Sequence, residues 1–143
     1  MQPIRILLVE DNRLDIYLIR LSLKERGIAH QVQVIEDGED ALRFLDRLDA
    51  GNGLNGPQLL ILDLNLPRHS GEEILERLRR SPRFSAIPVI ILTSLESPRH
   101  LMEAAGLNAI SYFRKPCELA EFLCLGDVVA EVLQNRLQVL AAS

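Results

Sequence analysis

The sequence predicts an α/β domain: a doubly wound, five-stranded parallel sheet with helices on both faces. Short β-rich apolar runs alternate with helical patterns five times along the 143 residues. Two of those runs, Leu59-Leu60-Ile61-Leu62 and Val89-Ile90-Ile91-Leu92, are apolar without alternation, as strands covered on both faces are. A composition of 48% hydrophobic and 25% charged residues belongs to a folded chain, and the length suffices for one core.

The first strand is predicted at Ile4–Val9. Asn12 with Asp15 resembles an N-cap box, and the stripe Leu14, Tyr17, Leu18, Leu21 makes a helix that stops at Gly27. A second strand is expected at Gln31–Ile35, and Asp37 with Asp40 opens a helix carrying Ala41, Leu42, Leu45 and Leu48. The glycines and asparagines of Asp49–Gly56 read as a flexible surface loop. After a third strand at Gln58–Leu62, Ser70 with Glu73 starts a helix carrying Ile74, Leu75 and Leu78. Beyond the fourth strand, Val89–Leu92, Ser97-Pro98 is a cap followed by a proline at the first helical position, with Gly106 as the stop. A fifth strand, Ala109–Phe113, leads into one long helix from about residue 117 to 140. No repeat and no second domain interrupts residues 1–143.

Several function classes are excluded early. Sixteen basic against 20 acidic residues leave a net charge of −4, which argues against a broad nucleic-acid surface. The longest apolar runs fall far short of the roughly 20 residues that span a bilayer. The start lacks the plan of a secretory signal, so a soluble cytoplasmic domain is expected. Cys117 and Cys124, on one helix, would lie about 10 Å apart, too far to bridge, and are read as unpaired thiols. His30, His69 and His100 are scattered and suggest no metal cluster.

In such sheets ligands bind beyond the carboxyl ends of the strands. Strand one ends in Val9-Glu10-Asp11-Asn12, strand three in Leu62-Asp63-Leu64-Asn65, strand four in Leu92-Thr93-Ser94 and strand five in Phe113-Arg114-Lys115-Pro116. Three carboxylates, a hydroxyl and an ammonium therefore converge on one rim. Two unit charges 4 Å apart repel by about 4 kcal/mol at an effective dielectric near 20. A hard divalent cation such as Mg²⁺ relieves that repulsion, and a lysine and hydroxyl opposite would bind an anion against it. Those parts describe phosphoryl transfer to an aspartate.

With these residues the chain resembles the receiver domains of two-component response regulators over essentially its whole length. Glu10-Asp11, Asp63, Thr93 and Lys115-Pro116 carry the match, with Asn65, Gly71 and Tyr112 in supporting positions. The Glu-Asp-Asn run, Leu62 to Arg68 and the glycine-rich loop also resemble the subgroup that partners phytochrome-type histidine kinases. The resemblance implies a flavodoxin-like (βα)5 receiver fold with strand order 2-1-3-4-5.

It also implies roles. Asp63 accepts a phosphoryl group from a phosphohistidine of a sensor histidine kinase. Asp11 and Asp63 ligate Mg²⁺, the Asn65 carbonyl adds a ligand, and Glu10 acts mostly through water on the metal. Lys115 pairs with the phosphoryl oxygens, with a cis peptide bond to Pro116. Thr93 gives its hydroxyl to the phosphoryl group, and Tyr112 swings inward as Thr93 moves, reshaping the surface of the fourth and fifth helices and strand five. Exposed Arg68 and Arg99 are candidate kinase contacts, and Asn65 and Leu95 flank the site where they would control water access.

The expected function is a single-domain response regulator, a phosphoryl acceptor and relay rather than an enzyme with turnover. The 27 residues after Pro116 are too few for a DNA-binding output domain, so output passes to a downstream phosphotransfer or effector protein. Two stripes run along the last helix. One is Leu119, Phe122, Leu123, Ala130, Leu133, Leu137 and Leu140; the other is Leu125, Val128, Val132 and Val139. One stripe docks on the sheet, and the second, with the end from Leu133, would form a homodimer contact. The competing readings are weaker. A dehalogenase-type phosphohydrolase needs an acid where Asn65 stands, and a flavin binder needs a hydroxyl-rich loop where Glu10-Asp11 stands. A phosphorylation-independent interaction module that keeps only the receiver fold is the remaining alternative.

Overall fold

The structure is a computed structural model that describes residues 2–51, 55–94 and 111–142, with side chains through Asn135. Five strands form one parallel sheet: β1 (Ile4–Val9), β2 (His30–Ile35), β3 (Leu59–Asp63), β4 (Val89–Thr93) and β5 (Ser111–Arg114). Their order is β2-β1-β3-β4-β5, and every neighbouring pair is parallel. The helices are α1 (Arg13–Glu25), α2 (Gly38–Asp49), α3 (Gly71–Arg79), α4 (Leu119–Phe122) and α5 (Leu125–Ala142). The fold class and strand order are those the sequence and its resemblance imply.

Strand side chains alternate between two cores, because successive Cβ atoms point to opposite faces. Leu7, Val9, Leu60, Leu62, Val89 and Ile91 face α2 and α3, where Ala41, Leu45, Leu48, Ile74, Leu75 and Leu78 meet them. Ile6, Leu8, Leu59, Ile61, Ile90 and Leu92 face the other way, onto α1, α4 and α5. Both faces of the central strands are dry, which is why those runs read as continuous apolarity.

The three cap residues act as expected. Asn12 Oδ1 accepts the Asp15 N–H at 3.0 Å, Asp37 Oδ1 accepts from Glu39 and Asp40, and Ser70 Oγ accepts from Glu73.

Several expectations need correction. The core face of α1 is Leu18, Ile19, Ser22 and Leu23, whereas Leu14 and Tyr17 stand 64% and 61% exposed. Ser22 can be buried there because its Oγ donates to the Ile19 carbonyl at 2.7 Å. The loop expected at Asp49–Gly56 is anchored at its end. Gly56 is buried so tightly on the Phe84 ring that a Cβ would collide with it, and its carbonyl accepts from Arg5 Nε at 2.8 Å.

The long last helix is two helices. At the joint, Cys124, Gly126 and Asp127 each donate to the carbonyl three residues back, so the turn tightens and redirects the chain. Gly126 needs that direction: α5 passes so close to α1 that a Cβ there would strike the Ser22 carbonyl. Cys117 lies ahead of α4 rather than on a helix, and both cysteines are free and exposed. Leu125 and Val132, offered above to a second subunit, are buried with Val129 in this chain's own core, and Val128 packs against it. The helix expected from Ser97 to Gly106, with Leu95, Arg99, His100, Ala109 and Ile110, lies outside the described residues. Among the described residues, no helix is long and apolar enough to cross a membrane.

Candidate functional site

Parallel pairing brings the site together. Val9 is paired with Leu62, so Glu10 and Asp63 leave the sheet side by side. Thr93 is paired with Arg114, which puts Lys115 one step beyond it, and the Lys115 N–H donates to the Thr93 carbonyl at 2.7 Å. Glu10, Asp63 and Thr93 are buried, while Asp11, next along the chain, is exposed at the mouth.

Glu10, Asp11 and Asp63 each place a carboxylate oxygen within 4.8 Å of the others. Lys115 Nζ approaches Glu10 Oε2 at 2.9 Å, Asp15 Oδ2 at 2.8 Å and Asp63 Oδ2 at 3.2 Å. The other oxygens are taken by backbone: Glu10 Oε1 accepts the Asn12 N–H and Asp63 Oδ1 the Asn65 N–H, both at 3.1 Å. Glu10 Oε2 is close to the ammonium yet lacks hydrogen-bond alignment, which leaves a buried oxygen without a satisfied partner.

One ammonium thus faces three carboxylates, with a fourth, Asp11, beside Glu10 and Asp63. Burial, followed by the adjacent Asp63 carboxyl, raises the Glu10 pKa from 4.5 to about 7, and Lys115 offsets only part of that. Burial alone would lower Lys115. The bonds to Asp15 and Glu10, with the charges of Glu10 and Asp63, outweigh it and hold the ammonium protonated well above its usual range. An all-oxygen donor set, a surplus of negative charge and an orphaned buried carboxylate oxygen fit a hard divalent cation at Glu10, Asp11 and Asp63.

The supporting positions have structural reasons. A Cβ on Gly71 would sit 2.7 Å from the Asp63 carbonyl oxygen and from Leu64 Cα, so only glycine lets α3 start against the end of β3. Between them, Arg68 adopts φ 69° and its Nε reaches Asp37 Oδ2 at 2.6 Å, tying the loop to α2. Arg68, its side chain 57% exposed, is thus engaged within the chain while still open to solvent. Tyr112 is half-buried and packs on the α2–α3 side, whereas Phe113 turns to the opposite face and meets Phe122 edge-on at 5.9 Å.

All the site residues named from sequence that can be placed lie on this rim or beside it, with two differences. No peptide bond among the described residues is cis, so Lys115–Pro116 is trans. The trans isomer is the one X-Pro bonds prefer, and with it the ammonium already reaches Glu10, Asp15 and Asp63. The second difference is Asp15, read above only as part of a cap. Its amide serves the Asn12 cap while its carboxylate turns to Lys115. The only signal in the sequence was that Asp15 stands in the first turn of a helix starting on this rim; helical spacing from Asp11 does not apply, because Asp11 precedes the extended Asn12 cap.

A family model described as a response regulator receiver domain matches residues 6–124. A probable methanogenesis regulatory protein, FilR2, of Methanothrix harundinacea is 40% identical over 114 residues, covering 80% of this chain and 73% of that protein. Among solved structures, the phosphorylated cyanobacterial phytochrome response regulator RcpA superposes with a TM-score of 0.76 at 30% identity, covering 90% of this chain and 92% of that one. The Mn²⁺-bound form of response regulator Rcp1 gives 0.75 at 31% identity, covering 89% and 91%.

Proposed function

The chain belongs to the response regulator receiver domain family, and from that premise we propose that it accepts a phosphoryl group on Asp63 and relays a signal by protein contact. The observation that carries the reading is Asp63 itself. It is buried beside Glu10 and Asp11 and touched by Lys115 at 3.2 Å.

The donor is a phosphohistidine of a sensor histidine kinase. An Asp63 carboxylate oxygen attacks phosphorus, the new O–P bond forms as the P–N bond breaks, and the ring nitrogen leaves with the electron pair. Asp11 and Asp63, with the Asn65 carbonyl and with Glu10 acting mostly through water, would hold Mg²⁺, which would supply charge neutralisation for the incoming phosphoryl oxygens. The Mn²⁺-bound relative supports a divalent cation here. Lys115 takes a second phosphoryl oxygen as a point charge. The Thr93 hydroxyl moves toward the phosphoryl group, and Tyr112 follows it inward, biasing a two-state surface around β5.

The match to RcpA, a phytochrome response regulator, supports a phytochrome-type kinase as donor. A downstream phosphotransfer or effector protein receives the signal. Any homodimer contact falls to the chain beyond Leu133, since Leu125 and Val132 are consumed by the core and Val128 and Leu133 pack against it.

Incubation with acetyl phosphate and Mg²⁺ tests the reading. Mass spectrometry is expected to find one added phosphoryl group on the wild type and none on Asp63→Asn. An unmodified wild type, or equal modification of both, overturns it.

A further inference from the structure

The Lys115 ammonium has three N–H donors and three carboxylates around it. Two of them, Glu10 and Asp63, belong to the cluster that fits a cation, and Asp15 does not. The oxygens Lys115 touches, Glu10 Oε2 and Asp63 Oδ2, are the ones left over once backbone N–H groups have taken Oε1 and Oδ1. The ammonium and a divalent cation thus draw on the same two carboxylates, Glu10 and Asp63, both being positive.

We propose that Asp15 is a positioning residue that holds Lys115 back from the cation ligands and keeps its ammonium ready at the rim for an anion. Three features of Asp15 suit it to this. It makes the shortest of the three contacts, at 2.8 Å. Its backbone is fixed by the bond from its own N–H to Asn12 Oδ1, so the carboxylate projects from a rigid first turn of α1. Its side chain is 17% exposed, which limits solvent screening of the pair. With Glu10 and Asp63 engaged by a cation, Asp15 is the one of the three that keeps its full charge for the lysine. The inference rests on the divalent-cation reading above.

A double-mutant cycle on Mg²⁺ affinity, read by titration calorimetry with the phosphodonor absent, tests it. The variants are Asp15→Asn, Lys115→Met and the pair together, with circular dichroism as the check on folding and Lys115→Gln in reserve should the methionine variant not fold. The Asn12 cap uses the Asp15 amide, so Asp15→Asn keeps it. Asp15→Asn is expected to weaken Mg²⁺ binding on the order of tenfold, and by about twofold or less once Lys115 is removed. A purely through-space loss of charge would weaken binding equally in both backgrounds, and that result overturns the inference, as does an unchanged Kd in Asp15→Asn. A wild type without saturable Mg²⁺ binding overturns the cation reading and the inference together, which distinguishes the two failures.

Discussion

Glu10 gives the site its sharpest signature in solution. Burial beside Asp63 raises its carboxyl from 4.5 to about 7 in the folded protein, so the native state holds a proton that the unfolded chain releases. Because the folded pKa is the higher one, the linked stability is full below pH 4.5 and is lost as pH rises through 7. At 1.36 kcal/mol per pH unit the whole effect is about 3 kcal/mol, most of which falls between pH 5 and 8. For a chain of this size it amounts to about 8 °C in Tm. Urea unfolding in EDTA at half-unit pH steps, wild type against Glu10→Gln, is the assay. The glutamine keeps an oxygen for the Asn12 N–H and removes the titration. The wild type is expected to lose stability toward pH 8 relative to the variant, and to regain more of it on addition of Mg²⁺. Parallel pH curves for the two proteins would refute the reasoning.

Three further outcomes follow from geometry. Gly71→Ala drives a methyl group onto the Asp63 carbonyl and Leu64 Cα, so urea unfolding should show a loss of about 2–3 kcal/mol and calorimetry a weaker Mg²⁺ affinity. Gly126→Ala presses α5 onto the Ser22 carbonyl of α1 and should cost a similar amount while leaving the Mg²⁺ Kd unchanged, since Ser22 lies about 10 Å along α1 from Asp15. Asp49 is half-buried, and the Ser81 hydroxyl at 2.6 Å and Arg77 at 2.7 Å outweigh its partial desolvation and hold its carboxyl below the usual 3.8. Its contribution is therefore present above pH 4 and lost as pH falls through the lowered value. Asp49→Asn should flatten the acid limb of the stability curve and cost about 1–3 kcal/mol at pH 7.

Much of the fold was legible because the relevant signals are local. Leu59–Leu62 and Val89–Leu92 announce buried parallel strands by lacking alternation, and Asn12, Asp37 and Ser70 mark helix starts through bonds spanning three residues. The positions of Glu10, Asp11, Asp63, Thr93 and Lys115 were legible for a related reason: each ends a strand or stands within two residues of its end, and parallel strands share one carboxyl edge. What misled was long-range. The break after Phe122 answers the close passage of Gly126 over Ser22, more than 100 residues away in sequence. Leu14 and Tyr17 continue an apolar pattern, yet the turn of α1 onto the sheet selects Ile19, Ser22 and Leu23 instead.

The chain by itself thus determined the order of its strands and helices, the caps that begin α1 to α3, and which residue types stand at the strand ends, because those depend on neighbours a few positions apart. Only the tertiary structure decided which oxygen of Glu10 and of Asp63 is left for a ligand, that Asp15 joins Lys115, and that Leu125 and Val132 serve the core rather than a surface. Those outcomes depend on the spacing between elements distant in sequence, where a shift of a few tenths of an ångström makes or breaks a contact, and no local pattern encodes that distance.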